Sequence, residues 1–145
     1  MCRCGARGCL DVYIGRRSLL DAAGLPPSTP IDDVVELVLS GRHARVGEVV
    51  ARAGESLGVA LATYANLVAV PTLVLGDNLA RLLPVVRDQV TRELGARMLT
   101  ARFGLPQLEP AASGPHAAMI GGALSVLQEL LADPQGRPIG TEDRT

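Results

Sequence analysis

The chain has 145 residues, room for one domain of ordinary size, and 48% of them are hydrophobic. Its mean hydropathy of +0.26 excludes a largely disordered chain. With 14 basic against 15 acidic residues, two Tyr, one Phe and no Trp, it offers neither a basic footprint nor a base-stacking surface for nucleic acid.

Residues 1–10, rich in Gly and Cys, predict an irregular loop. Apolar residues at Val12, Ile14, Leu19, Leu20 and Ala23 predict a short helix over 11–23, with Asp11 as its cap. Gly24-Leu25-Pro26-Pro27 then breaks the chain. A helix over 31–39 follows, capped by Thr29 or Asp32 and stopped at Ser40-Gly41. The longest periodic stretch runs from Ala44 to Val68, with Val46, Val49, Val50, Ala53, Leu57, Leu61, Tyr64 and Leu67/Val68 along one face. Gly47, Gly54 and Gly58 lie inside it, each at a cost of about 1 kcal/mol in helix propensity against Ala. They predict a backbone lying close against another element. Thr72-Leu73-Val74-Leu75, between Pro71 and Gly76, predicts a short strand buried on both faces. Leu79 to Leu99 predicts a helix with Leu82, Val86, Val90 and Leu94 inward and Pro84 in its first turn. A second short strand is expected over 107–112. A last helix over 116–131 is expected to bury a face of Met119, Ile120, Leu124, Leu127 and Leu131. The polar tail, 133–145, predicts disorder.

Alternating helices and strands indicate an α/β fold. Two strands, however, offer too little sheet for so many amphipathic helices, and a two-stranded sheet is marginal alone. The pattern therefore predicts further strands from chain N-terminal to this one. No apolar run reaches the roughly 20 residues of a membrane span. The nearest, residues 58–75, is interrupted by Thr63, Asn66, Pro71 and Thr72. The start lacks the apolar core of a signal peptide, so the cytoplasm is the expected address.

Three cysteines, Cys2, Cys4 and Cys9, fall within eight residues. In a reducing compartment such clustering favours metal over disulfide. Thiolates at this spacing suit tetrahedral zinc, with sulfur at about 2.3 Å. Gly5 and Gly8 let the backbone turn so that three sulfurs meet, and Arg3 and Arg7 offset their charge. Three free thiols or a redox pair in a terminal loop is the alternative. A structural zinc site needs a fourth ligand. The only histidines are His43, before the long helix, and His116, before the last one, and neither is expected to supply it.

The run Cys2-x-Cys4-Gly5-x-x-Gly8-Cys9-x-Asp11 resembles the zinc motif of the ROK family (repressors, open reading frames and kinases), C-x-C-G-x-x-G-C-x-E, departing from it in Asp11. The rest follows the family's order: a long helix ending in Tyr64-Ala65-Asn66-Leu67-Val68, then Pro71, a strand and turn Leu73-Val74-Leu75-Gly76-Asp77, and a helix with Gly121-Gly122-Ala123. The resemblance implies the C-terminal part of an actin-like, ribonuclease-H-like domain that is incomplete in this chain. It implies a structural zinc whose fourth ligand is an upstream His of an H-E-x-G-H motif, and a Glu of that motif on a sugar. It implies a sugar effector or substrate and a homo-oligomer, with no nucleic-acid contact from this segment. Because Met1 directly precedes the first cysteine, the chain reads as a fragment. The expected organisation is a zinc-binding loop over 1–10, a partial C-terminal α/β domain over 11–132 and the tail.

Kinases of the family carry Gly-Gly at the turn near ATP, where this chain has Gly76-Asp77. Gly76 is the nucleotide-loop position if the chain is half of a sugar kinase using Mg-ATP. A carboxylate at Asp77 would repel phosphate, unless Asp77 simply caps the next helix. That residue and the extension Leu130-Leu131-Ala132-Asp133-Pro134 lean towards the regulator branch. The expectation is the effector-binding and oligomerisation half of a transcriptional regulator, without catalysis of its own. A glucokinase-like sugar kinase half is the alternative.

Overall fold

The computed structural model of the chain describes residues 2, 4–112, 114 and 117–133. Among them lie α1 (Asp11–Ile14), α2 (Arg16–Ala23), α3 (Ile31–Leu39), α4 (Ala44–Leu67), β1 (Thr72–Leu75), α5 (Asp77–Arg97), β2 (Gln107–Pro110) and α6 (Ala117–Ala132). A single 3-10 turn at Ala101–Phe103 leads from α5 to β2. The architecture is mixed α/β, mostly helical, with one small parallel sheet. No described helix is long and apolar enough to cross a membrane.

Two helices replace the single one expected over 11–23, because Gly15 turns the backbone to φ −60°, ψ 136° between them. A Cβ there would sit 2.4 Å from the Asp11 carbonyl oxygen and from its carboxylate, so only glycine fits. Asp11 does not cap. Leu10 holds the cap position, and the Asp11 charge lies in the first turn instead, at the positive end of the helix dipole. Likewise neither Thr29 nor Asp32 caps α3. Pro30 holds the cap position with extended backbone and no side-chain bond, and Asp32 and Asp33 occupy the first turn. Gly41, at φ 64°, follows the helix end.

The core gathers around α4 and α5, which pack along much of their length. Val46, Val50, Ala53 and Leu57 of α4 face Leu82, Val86, Val90 and Leu94 of α5, with Leu19, Leu20, Ile31 and Val34 from α2 and α3 closing the cluster. The last turn of α4 departs from the expected face. Tyr64, Leu67 and Val68 are exposed, and Ala62 and Ala65 are buried in their place. Asn66 there binds the end of α5: its Oδ1 accepts the Leu99 N–H and its Nδ2 donates to the Arg97 carbonyl, both at 2.9 Å. Arginines tie other seams through carbonyls, Arg45 to Ala22 and Arg87 to Leu108, each at 2.9 Å.

β1, α5 and β2 form a parallel crossover unit in which Thr72 faces Gln107 and Leu75 faces Pro110. Pro110 has no N–H to give, so Ala111 donates to the Leu75 carbonyl at 2.7 Å. Leu73 and Leu75 are buried, but Val74 is 62% exposed, so β1 is covered on one face where both were expected. Pro84 also differs from expectation, lying well inside α5 and not in its first turn. It is exposed, and it has no N–H to give to the Ala80 carbonyl. The expected apolar face of α6 is not buried. From Ala118 onward every residue of α6 is exposed, and the helix makes at most isolated contacts with the other elements. Beyond Asp133 the expected tail lies outside the described residues.

Candidate metal centre

The loop before α1 is closed by its own backbone. The Cys2 N–H donates to the Ala6 carbonyl and the Gly5 N–H to the Cys2 carbonyl, both at 3.0 Å. Gly5 at φ 84° and Gly8 at φ 77° take the left-handed conformations that reverse the chain twice. The result brings the Sγ atoms of Cys2, Cys4 and Cys9 within 4.8 Å of one another. Cys4 and Cys9 are the nearest recorded pair, at 3.4 Å. Cys4 is exposed, and Cys2 and Cys9 are half-buried.

This donor set suits a soft divalent cation. Two sulfurs on a tetrahedral zinc at about 2.3 Å stand roughly 3.8 Å apart, close to the separations seen here. The thiols already share protons unequally. The Ala6 backbone N–H, then the Cys9 and Cys2 thiols, hold Cys4 below the usual thiol range. Hydrogen bonds that the Cys9 thiol donates to Cys4 and then Cys2, with a smaller part from desolvation, push Cys9 up to about 11. A cation that replaces these protons would meet three sulfurs already turned inward.

Among the described residues no histidine or carboxylate joins the cluster. His43 is exposed at the N-cap of α4, apart from the loop. His116 and Arg3 lie outside the described residues, and Arg7 is exposed.

Two grooves flank this region; the sequence marked the Gly76 turn of the second but not the groove around it. One, of about 500 Å³, lies between Gly8, Leu10 and Tyr13 and the outer face of α4 at Arg52, Glu55 and Ser56. The polar spacing at 52, 55 and 56, opposite the apolar stripe, marks that face in the sequence, but not what lies over it. The other, of about 290 Å³, opens at the C-terminal end of β1, where α/β folds place their ligands. It is lined by Asp11 and Arg16 on one side and Gly76, Asp77 and Asn78 on the other. Asp77 has φ 47° and makes no capping bond, and Gly76 is the cap residue of α5, so the expected cap by Asp77 is not formed. A Cβ on Gly76 would meet nothing within 4 Å. The Arg16 guanidinium is committed to the carbonyls of Pro27 at 2.8 Å and Thr29 at 2.7 Å. The groove therefore presents two carboxylates and one guanidinium, whose N–H donors are already taken by backbone carbonyls.

The family model described as ROK family matches residues 1–129. Comparison with curated proteins gives no match.

Proposed function

The chain belongs to the ROK family, and from that premise we propose that it is the C-terminal, effector-binding and oligomerisation half of a sugar-responsive transcriptional regulator. In this reading Cys2, Cys4 and Cys9 hold a structural zinc, completed by a ligand from outside the described residues. The metal fixes the loop against α1 and α4, and so fixes whatever segment of the sugar site adjoins it. Sugar binding then biases two arrangements of the whole protein, and DNA affinity follows by linkage.

One observation carries the choice of regulator. The groove at the C-terminal end of β1 is net acidic, with Asp11 and Asp77 in its lining against one Arg16, whose N–H donors are already taken by the Pro27 and Thr29 carbonyls. Two exposed carboxylates facing a triphosphate repel it through water. Gly76 supports the second reading, half of an ATP-dependent sugar kinase, because its bare backbone leaves room for a nucleotide. Titration calorimetry with Mg-ATP separates the two. The regulator reading expects no saturable binding below about 1 mM, and micromolar binding would overturn it. The genomic sequence before the Met1 codon gives an independent test. A helix-turn-helix pattern there supports the regulator, and an intact phosphate loop supports the kinase.

A further inference from the structure

We propose that Cys4 and Cys9 form a reversible disulfide, so that the loop is a thiol–disulfide site as well as a metal site. Their sulfurs are already in contact at 3.4 Å, and a disulfide needs about 2.05 Å. The remaining approach falls on a four-residue span containing Gly5 and Gly8, which have open space around them and no Cβ to resist a change of backbone angle. Cys4 and Cys9 are the nearest recorded pair of sulfurs, which makes Cys2 the less favoured partner. Cys4 is the exposed thiol and Cys9 is half-buried, so an oxidant reaches Cys4 first.

With a peroxide the step balances as follows. The Cys4 thiolate attacks one peroxide oxygen, the O–O bond breaks, and hydroxide leaves and is protonated to water, giving a Cys4 sulfenic acid. The Cys9 sulfur then attacks the Cys4 sulfur, the S–O bond breaks, and the departing hydroxide takes the Cys9 proton as a second water. Two thiols are oxidised and one peroxide is reduced. The disulfide leaves a single thiol, Cys2, and so excludes a metal held by all three. That exclusion rests on the zinc reading, whereas the disulfide does not. Because the Cys9 carbonyl accepts the Val12 N–H at 3.0 Å, closure at Cys9 also pulls on the start of α1.

Trypsin tests this directly, since Arg3, Arg7 and Arg16 separate the three cysteines into three peptides. The full chain, stripped with a chelator and treated with a few equivalents of hydrogen peroxide, is expected to yield mainly peptide 4–7 linked to peptide 8–16. Dithiothreitol should reverse the link, and Cys2→Ser should preserve it. Pre-loading with zinc should slow it at least about tenfold, because a metal-bound thiolate is no longer a free nucleophile. Sulfinic acid without a link, or links shared equally with Cys2, would overturn the proposal. A linked pair in a protein that takes up no zinc would sink the metal reading and uphold the disulfide. Tight zinc binding without any link in the stripped protein would do the reverse.

Discussion

At Asp77 the backbone takes φ 47°, the one positive φ at a non-glycine position among the described residues. A left-handed conformation costs an L-residue about 1–2 kcal/mol, less for Asp, whose short polar side chain bonds locally. Here the Asn78 side chain donates to the Asp77 carboxylate at 3.0 Å and recovers part of that cost. Asp77→Gly should therefore stabilise the chain by up to about 1 kcal/mol, seen as a higher urea midpoint at unchanged slope. A lower midpoint would show that the carboxylate contributes more than the strain costs. The cysteines make the second prediction at this scale. Three sulfurs converge without a fourth ligand among the described residues, so on this chain alone, without the outside ligand of the proposed site, zinc should bind through three sulfurs and one ligand from solvent, and a chelator should remove it. X-ray absorption is the measurement, and a four-ligand, chelator-resistant protein site would contradict it. Cys9→Ser should lower zinc affinity by at least about tenfold, since it removes one of three thiolate ligands.

Glycines decide how α4 meets α5. At Gly58 a Cβ would lie 2.5 Å from the Glu93 Cβ and 3.2 Å from the Val90 Cα, so the helices themselves would have to part. At Gly54 the nearest atoms are side-chain carbons of Gln89 and Val86 at 3.2–3.3 Å, and at Gly47 nothing lies within 4 Å. Gly58→Ala should then destabilise by about 1–3 kcal/mol, overpacking outweighing the propensity gain. Gly47→Ala should stabilise by up to about 1 kcal/mol, the propensity gain alone. Denaturant midpoints of the two variants should move in opposite directions, and a shared direction would mean that the helix contact is misplaced. The three glycines look alike in the sequence, where close approach was expected at all of them. Only the register against α5 separates them, and that register is set by contacts 30 or more residues away. Periodicity, by contrast, is local, which is why Leu82, Val86, Val90 and Leu94 were legible as a buried face. The same logic governed the caps. Side-chain chemistry at Asp11 and Asp32 suggested capping bonds, but Leu10 and Pro30 hold the cap positions at those ends.

Across the whole molecule, the apolar surface is divided unevenly. A tight cluster holds α2 to α5 and one face of the sheet, while Val74 and almost all of α6 face outward. Hydropathy alone marks α6 as a helix for burial, since apolar residues surround it. Whether anything is there to bury it depends on three-dimensional neighbours, which residue spacing does not encode. The convergence of the cysteine loop was legible for the opposite reason, because its three sulfurs lie within eight residues and its two glycines announce the turns. Folding stability should accordingly reside in the α2–α5 body. A chain ending at Ala112 loses α6 but almost no packing, so its melting temperature should stay within about 3 °C of the parent, a change of under about 1 kcal/mol. It should also bind less of a hydrophobic dye and remain soluble at higher concentration, because Ile120, Leu124, Leu127 and Leu130 are gone. Scanning calorimetry on the two chains measures the first expectation. A fall of 10 °C or more, beyond what about 1 kcal/mol explains, would mean that α6 docks onto the body or onto a second copy in solution. Repeating the scan over a range of protein concentrations separates those cases, because only the second makes the transition concentration-dependent.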